Sequence, residues 1–165
     1  MEYLVTTEGF KKYNLILNNS ILAKMNYIGW LNSTHPSFDI NNKKNYLLDK
    51  PSMWKSNFKI VSFNQVILEF NFRWNGNITI KWNDNNHVKI VTLRLQSIWK
   101  SNYVLYNETG NEILIIKCKY DWKTWKSNYT ITESTNLISN HKEVLYLSLI
   151  HCIITLKNMA AAASA

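Results

Sequence analysis

The chain has 165 residues, and its 46% apolar and 13% aromatic content excludes an intrinsically disordered protein. This length fits one globular domain over residues 1–165 with a sizeable core. The net charge of +8 is compatible with an anionic partner, but arginine, which bidentate phosphate recognition favours, occurs only as Arg73 and Arg94.

Short apolar runs, separated by polar turns rich in the chain's 23 asparagines, predict about twelve β-strands. Asparagine suits such turns because it tolerates left-handed backbone conformations. Apolar and polar side chains alternate along the runs, which is typical of antiparallel strands with one buried face. In chain order the predicted strands are Tyr3–Thr6, Tyr13–Leu17, Ile21–Tyr27, Phe38–Ile40, Tyr46–Leu48, Phe58–Phe63, Val66–Trp74, Ile78–Trp82, Val88–Leu95, Tyr103–Tyr106, Glu112–Tyr120 and Tyr129–Thr132.

The clearest hairpin is predicted at the turn Asn75–Asn77. A two-residue loop would mix the apolar and polar faces of the two strands, because a shift of one residue moves every side chain to the other face. A three-residue loop pairs Trp74 with Ile78 and Phe72 with Ile80, and keeps the apolar side chains together. We therefore expect the odd-length loop.

A five-residue motif, Trp-Lys-Ser-Asn-aromatic, occurs at residues 54–58, 99–103 and 125–129. We interpret each copy as a barrel corner: the Trp anchors in the core, Ser-Asn bends or bulges the chain, and the second aromatic residue begins the next strand. The alternative is functional, because three equivalent corners would present a ring of lysines, formed by Lys55, Lys100 and Lys126.

The last part of the chain predicts a helix over about residues 141–159, with a capping box formed by Asn140 and Glu143. Apolar residues lie all round its helical projection, which is typical of a fully buried helix or a membrane span. The strongly apolar part is about thirteen residues long, whereas a span needs about 20. We therefore predict a core helix inside the sheet, with no transmembrane span and with the alanine tail fitting where space is tight.

The sequence predicts neither an enzyme nor a cofactor or metal site. Its four histidines show no metal-ligand spacing, and phosphate-binding glycine-rich loops are absent. Cys118 and Cys152 are expected to be reduced, buried side chains. The catalytic alternative is a nucleophile pair formed by His151 and Cys152.

The pattern as a whole resembles the tubby C-terminal-like superfamily, which includes the LURP-one-related proteins and the phospholipid scramblases, and it is similar to small bacterial members. The matching features are the three Trp-Lys-Ser-Asn corners, the segment Tyr103–Glu112 and the apolar helix Leu145–Leu156. The resemblance implies a twelve-stranded antiparallel closed barrel around a buried hydrophobic C-terminal helix. It also implies association with membrane lipids, although no Lys-x-Arg head-group clamp and no Asp-x-Asp calcium loop is present in this sequence.

We accordingly expect a non-enzymatic binding barrel that docks on anionic lipid head groups or on a protein partner. The alternative is a carrier of a small hydrophobic ligand. We expect a monomer in the cytoplasm, peripheral at the membrane, because the segment Met1–Thr6 lacks the features of a secretory signal, and we expect no nucleic-acid partner. The candidate lipid- or anion-binding residues are Lys55, Lys100, Lys126, Arg73 and Arg94.

Overall fold

A computed structural model describes residues 1–9, 11–27, 36–40, 46–49, 57–84, 87–97, 101–123, 126–137 and 139–163. These residues form twelve strands and one helix. The elements are β1 (Glu2–Glu8), β2 (Lys12–Leu17), β3 (Ser20–Tyr27), β4 (Pro36–Ile40), β5 (Tyr46–Asp49), β6 (Asn57–Ser62), β7 (Gln65–Phe72), β8 (Ile78–Asp84), β9 (His87–Ser97), β10 (Asn102–Tyr106), β11 (Glu112–Asp121), β12 (Lys126–Glu133) and α1 (Lys142–Ala163).

Each strand pairs antiparallel with the next one in sequence, and β12 pairs with β1 to close the barrel. The predicted fold class, a twelve-stranded antiparallel barrel with a buried C-terminal helix, is confirmed. Because the strands alternate in direction, successive connections fall at opposite ends. We call the end where α1 begins the lower end. The connections β1–β2, β7–β8 and β11–β12 lie at the other, upper end, where α1 finishes.

The core consists of the inward-facing strand residues and the first half of α1. Along β8, for example, Ile78, Ile80 and Trp82 are buried and alternate with more exposed residues. In α1 ten consecutive residues, 144–153, are buried, since the barrel wall covers the helix on every side. Each fully buried leucine or isoleucine contributes about 1.5–3 kcal/mol, so this segment is a large part of the core energy.

The second half of α1 departs from the prediction. The helix continues to Ala163, and residues 158–163 are exposed, so the expectation that the alanine tail packs in a tight space was wrong. A helix of 22 residues is about 33 Å long, whereas a strand of eight residues spans about 26 Å and is tilted in a barrel. The helix therefore extends beyond the upper end.

The β7–β8 hairpin has the predicted odd-length loop, but the loop starts one residue earlier than predicted. Phe72 pairs with Ile78 instead of Ile80, which leaves the apolar face of both strands in the barrel. Trp74, predicted to face the core, is in the loop and fully exposed. The reason is Gly76, which has φ +79°: the third residue of such a loop adopts the left-handed conformation that glycine allows.

Two buried polar clusters hold the start of α1 against the lower end. In the first, Ser139 donates a hydrogen bond to Asp84, and Tyr46 is bonded to Nδ1 of His141 at 2.9 Å. The first helical hydrogen bond runs from Leu145 to the carbonyl of His141, so His141 is the N-cap, one residue after the predicted Asn140.

In the second cluster Glu133 forms an ion pair with Lys142 and accepts a hydrogen bond from the hydroxyl of Tyr146. Both partners of Glu133 belong to α1, so this contact ties the first turns of the helix to the end of β12. The orientation of α1 is thereby fixed, and its C-terminal half points to the upper end.

Candidate functional site

Among the residues that the structure describes, lysines concentrate on one side of the upper end. β12 lies between β1 and β11, so the β1–β2 and β11–β12 connections are neighbours there. Their lysines form a set that we call the basic rim: Lys11, Lys12, Lys119, Lys123 and Lys126. The closed topology brings these residues together although more than 100 positions separate the first two from the others.

Carboxylates compensate part of the basic rim: Glu8 lies directly opposite Lys12, and Asp121 lies directly opposite Lys126. The carboxylates near it are Glu8 and Asp121, and Asp121 accepts a hydrogen bond from the backbone N–H of Lys123 at 2.9 Å. Among the described residues, which include all eleven carboxylates, Lys12, Lys119 and Lys126 form no ion pair.

The lower end has the opposite character. Both ion pairs between described side chains, Lys89–Asp84 and Lys142–Glu133, lie there. The lower end also carries the strand-end or turn carboxylates Glu2, Glu108, Glu112 and Glu143. Within the described part of the chain, the barrel is therefore basic at its upper end and acidic at its lower end.

Exposed aromatic side chains accompany the lysines at the upper end. Trp122, in the β11–β12 connection, is 76% exposed and packs edge-on against Tyr120 with ring centroids 4.7 Å apart. Trp74 projects from the β7–β8 loop at the same end, and Met159 of α1 is half exposed there. Exposed Trp beside Lys is the combination that proteins place at the boundary between water and lipid.

The lysine ring predicted from the three motifs is only partly described. Lys126 opens β12 and belongs to the basic rim, whereas Lys55 and Lys100 lie outside the described residues. The second aromatic residue of each motif, predicted to begin the next strand, is the second residue of β6 and β10 and the fourth of β12, and it is buried in each case; these residues are Phe58, Tyr103 and Tyr129.

The predicted bend is present in one copy of the motif and absent in another. Ser101 has φ +49°, and the register of β9 and β10 shifts between Asn102 and Tyr103. At 126–128 the pairing with β11 runs without a shift. The motif's three tryptophans, Trp54, Trp99 and Trp125, lie outside the described residues.

The two arginines are close together, but on the wall of the barrel. Both Arg73 and Arg94 line one open groove of about 420 Å³ on the outer face of β7, β8 and β9. The guanidinium of Arg94 lies over the ring of Tyr106, 5.3 Å from its centroid, and Nε of Arg73 donates to Thr79 at 2.9 Å. Of the predicted anion-binding residues that the structure describes, Lys126 therefore belongs to the rim, whereas Arg73 and Arg94 line this groove.

The His151–Cys152 pair of the catalytic alternative is inside the barrel. Nδ1 of His151 is bonded to the hydroxyl of Tyr27 at 2.8 Å, and its ring packs edge-on against Phe58. Burial raises the pKa of the Cys152 thiol well above its usual value, which disfavours the nucleophilic thiolate. Burial also raises the pKa of Tyr27. This environment is that of a hydrogen-bonded core histidine.

The interior that a hydrophobic ligand would need is occupied by α1, with side chains such as Leu145, Leu149 and Ile153 fully buried against the wall. By length and composition Lys142–Ala163 is apolar enough to cross a membrane, yet 56% of its most apolar window is buried in the barrel. Within the described ranges no group of three or more His, Cys, Asp or Glu side chains is arranged to hold a metal ion.

Sequence reasoning missed most of the basic rim and the exposed positions of Trp74 and Trp122. The available signal was the order of the strands: in an antiparallel barrel alternate connections share one end, so Lys11, Lys123 and Trp122 could have been grouped without a structure. Compared with known proteins, the chain matches no protein-family model, no curated protein and no solved structure. The resemblance to the tubby-like superfamily stays a prediction.

Proposed function

We propose that this protein is a non-enzymatic binding barrel that docks on an anionic membrane surface through its upper end. The observation that supports the proposal is the position of the basic rim beside Trp122, with the acidic end on the opposite side of the barrel. Each lysine close to an anionic bilayer contributes about 1 kcal/mol. The five rim lysines and the two carboxylates beside them, Glu8 and Asp121, leave a net charge of +3, which favours reversible peripheral binding to an anionic bilayer.

The tryptophans and α1 complete the docking surface. Trp122 and Trp74 place amphipathic rings at head-group depth, while the lysines remain in contact with the lipid charges. The exposed tail of α1, residues 158–163, emerges at the same end and presents Met159 and small alanines to the surface. Binding would leave the barrel intact, because none of these groups supports the core.

Vesicle co-sedimentation tests the proposal. Wild type should bind vesicles of phosphatidylserine and phosphatidylcholine, should bind pure phosphatidylcholine weakly, and should lose affinity steeply as salt is raised. Replacing Lys119, Lys123 and Lys126 by Gln should weaken binding by about two orders of magnitude, at about 1 kcal/mol for each charge.

The matched control removes three lysines from the wall, Lys24, Lys59 and Lys81, so the change in net charge is identical. This variant should retain most of the wild-type affinity. Equal loss in the two triple variants would contradict docking through the upper end. Equal binding to neutral and anionic vesicles, or binding to neither, would contradict docking on anionic lipid. A protein partner would then be the expected ligand of this surface.

A further inference from the structure

The two arginines of the chain belong to one row of residues across the barrel wall. The backbone N–H of Arg73 donates to the carbonyl of Asn77 at 2.9 Å, so these two residues face each other across the hairpin. Asn77 directly precedes Ile78, which pairs with Leu93, and Arg94 follows Leu93. Arg73 and Arg94 are thus two strands apart, with α-carbons separated by about 10 Å, and they flank Asn77.

The groove beside this row is lined mainly by hydrogen-bonding groups. Thr79 pairs with Thr92 in the adjacent row, so two hydroxyls lie next to the guanidinium groups. The β10–β11 turn forms the far wall and contributes Asn107 and Glu108. The volume of about 420 Å³ is larger than a bare oxyanion requires and leaves room for a small organic group.

Each guanidinium group contacts a neighbouring polar or aromatic side chain. The bond from Arg73 to Thr79 uses one of the five N–H donors of that side chain, and the guanidinium of Arg94 lies over the ring of Tyr106, 5.3 Å from its centroid. Neither arginine forms an ion pair with a carboxylate of the described residues. Glu108 accepts a hydrogen bond from the backbone N–H of Ile90 at 2.9 Å. Two guanidinium groups that line one groove together with threonine hydroxyls can bind an anion.

We propose that this arginine groove binds the phosphate group of a small phosphate monoester. A phosphate dianion carries enough charge and acceptor oxygens to engage two guanidinium groups at once, and arginine pairs with phosphate more specifically than lysine does. Glu108 at the far wall disfavours a second negative charge there, so the organic part of the ligand is neutral or cationic. The site goes beyond the proposed membrane docking, because it does not require a lipid surface.

Titration calorimetry with inorganic phosphate and glycerol phosphate, on the full chain without lipid, tests this site. Arg73→Gln and Arg94→Gln should each weaken binding at least tenfold, and Arg94→Lys should restore part of the loss. Lys81→Gln, on the neighbouring outward face of β8, is the control and should change affinity less than threefold. Circular dichroism confirms that each variant is folded.

Absence of phosphate binding by the wild type, or equal binding by the arginine variants and the Lys81→Gln control, would overturn the proposal. Binding to vesicles that contain phosphatidic acid or phosphatidylserine, compared at equal surface charge, shows whether the phosphate belongs to a lipid or to a soluble ligand. If Arg94→Gln abolishes a preference for phosphatidic acid, the monoester is a lipid head group; if vesicle binding is unchanged, it is a soluble ligand. The triple variant of Lys119, Lys123 and Lys126 should bind soluble phosphate normally, which separates failure of this site from failure of membrane docking.

Discussion

At the scale of single residues, the polar groups buried at the lower end decide how the barrel responds to pH. The Asp84 carboxylate is 5% exposed and accepts hydrogen bonds from Lys89 and Ser139 at 2.9 Å. Burial by itself raises the pKa of a carboxylic acid, but these two donors and the charge of Lys89 outweigh burial and hold the pKa of Asp84 below 3.8. Asp84 therefore links the lower end of the barrel to the residues that precede α1.

Because the folded pKa of Asp84 is below its unfolded value, its stabilising contribution is present above pH 3.8 and is lost as the pH falls through the folded value. Asp84→Asn should lower the free energy of unfolding at pH 7 by about 1–2 kcal/mol, since Lys89 is half in solvent. The difference from wild type should shrink in strongly acidic buffer. Urea unfolding at several pH values measures the difference in unfolding free energy between wild type and Asp84→Asn. A difference that does not change with pH would contradict the stabilising role of the Asp84 carboxylate.

At the scale of secondary structure elements, α1 has two parts with different roles. Residues 144–153 are fully surrounded by the wall, while residues 158–163 are exposed. The cost of removing a buried side chain is set by the transfer of its apolar surface and by the cavity left behind. The first part should therefore determine stability, and the second should not.

Deletion of residues 144–165 should abolish folding, because it empties the barrel of its core. Truncation after Met159 removes only exposed alanines and the last residues, and should change the unfolding free energy by less than about 0.5 kcal/mol. Thermal unfolding followed by circular dichroism compares the two truncations. A soluble, folded barrel from the longer deletion would show instead that α1 acts as an anchor.

At the scale of the whole molecule, the helix and the barrel are one cooperative unit. The barrel wall encloses α1, and the lower end holds it through Glu133 and Asp84, so neither part keeps its core if the other unfolds. The helical signal in circular dichroism and the total tryptophan fluorescence, to which buried Trp82 contributes, should therefore change at the same urea concentration. A helical signal that persists after the fluorescence transition would contradict this coupling.

The element content was predictable because it depends on local periodicity. All twelve predicted strands are present, since alternation at period two, as in Phe70 and Phe72, reports burial on one face. The predicted hairpin loop was one residue too late, because the prediction did not assign glycine to the left-handed position of the loop. The predicted register therefore placed Trp74 in the core, whereas the structure has it in solvent. The exposure of the α1 tail was not predicted for a different reason. It depends on the length of the helix relative to the height of the barrel wall, and the tertiary structure sets that height.

The sequence by itself thus determined a β-rich chain with a buried apolar helix, because hydrophobic periodicity depends only on residues that are close in sequence. Only the tertiary structure decided which charges act together. Closure of β12 on β1 brings Lys11 and Lys12 to the same side of the upper end as Lys126, and the pairing of three strands places Arg73 near Arg94. These contacts join residues far apart in sequence, and their positions follow from strand register and barrel closure, which no local pattern specifies.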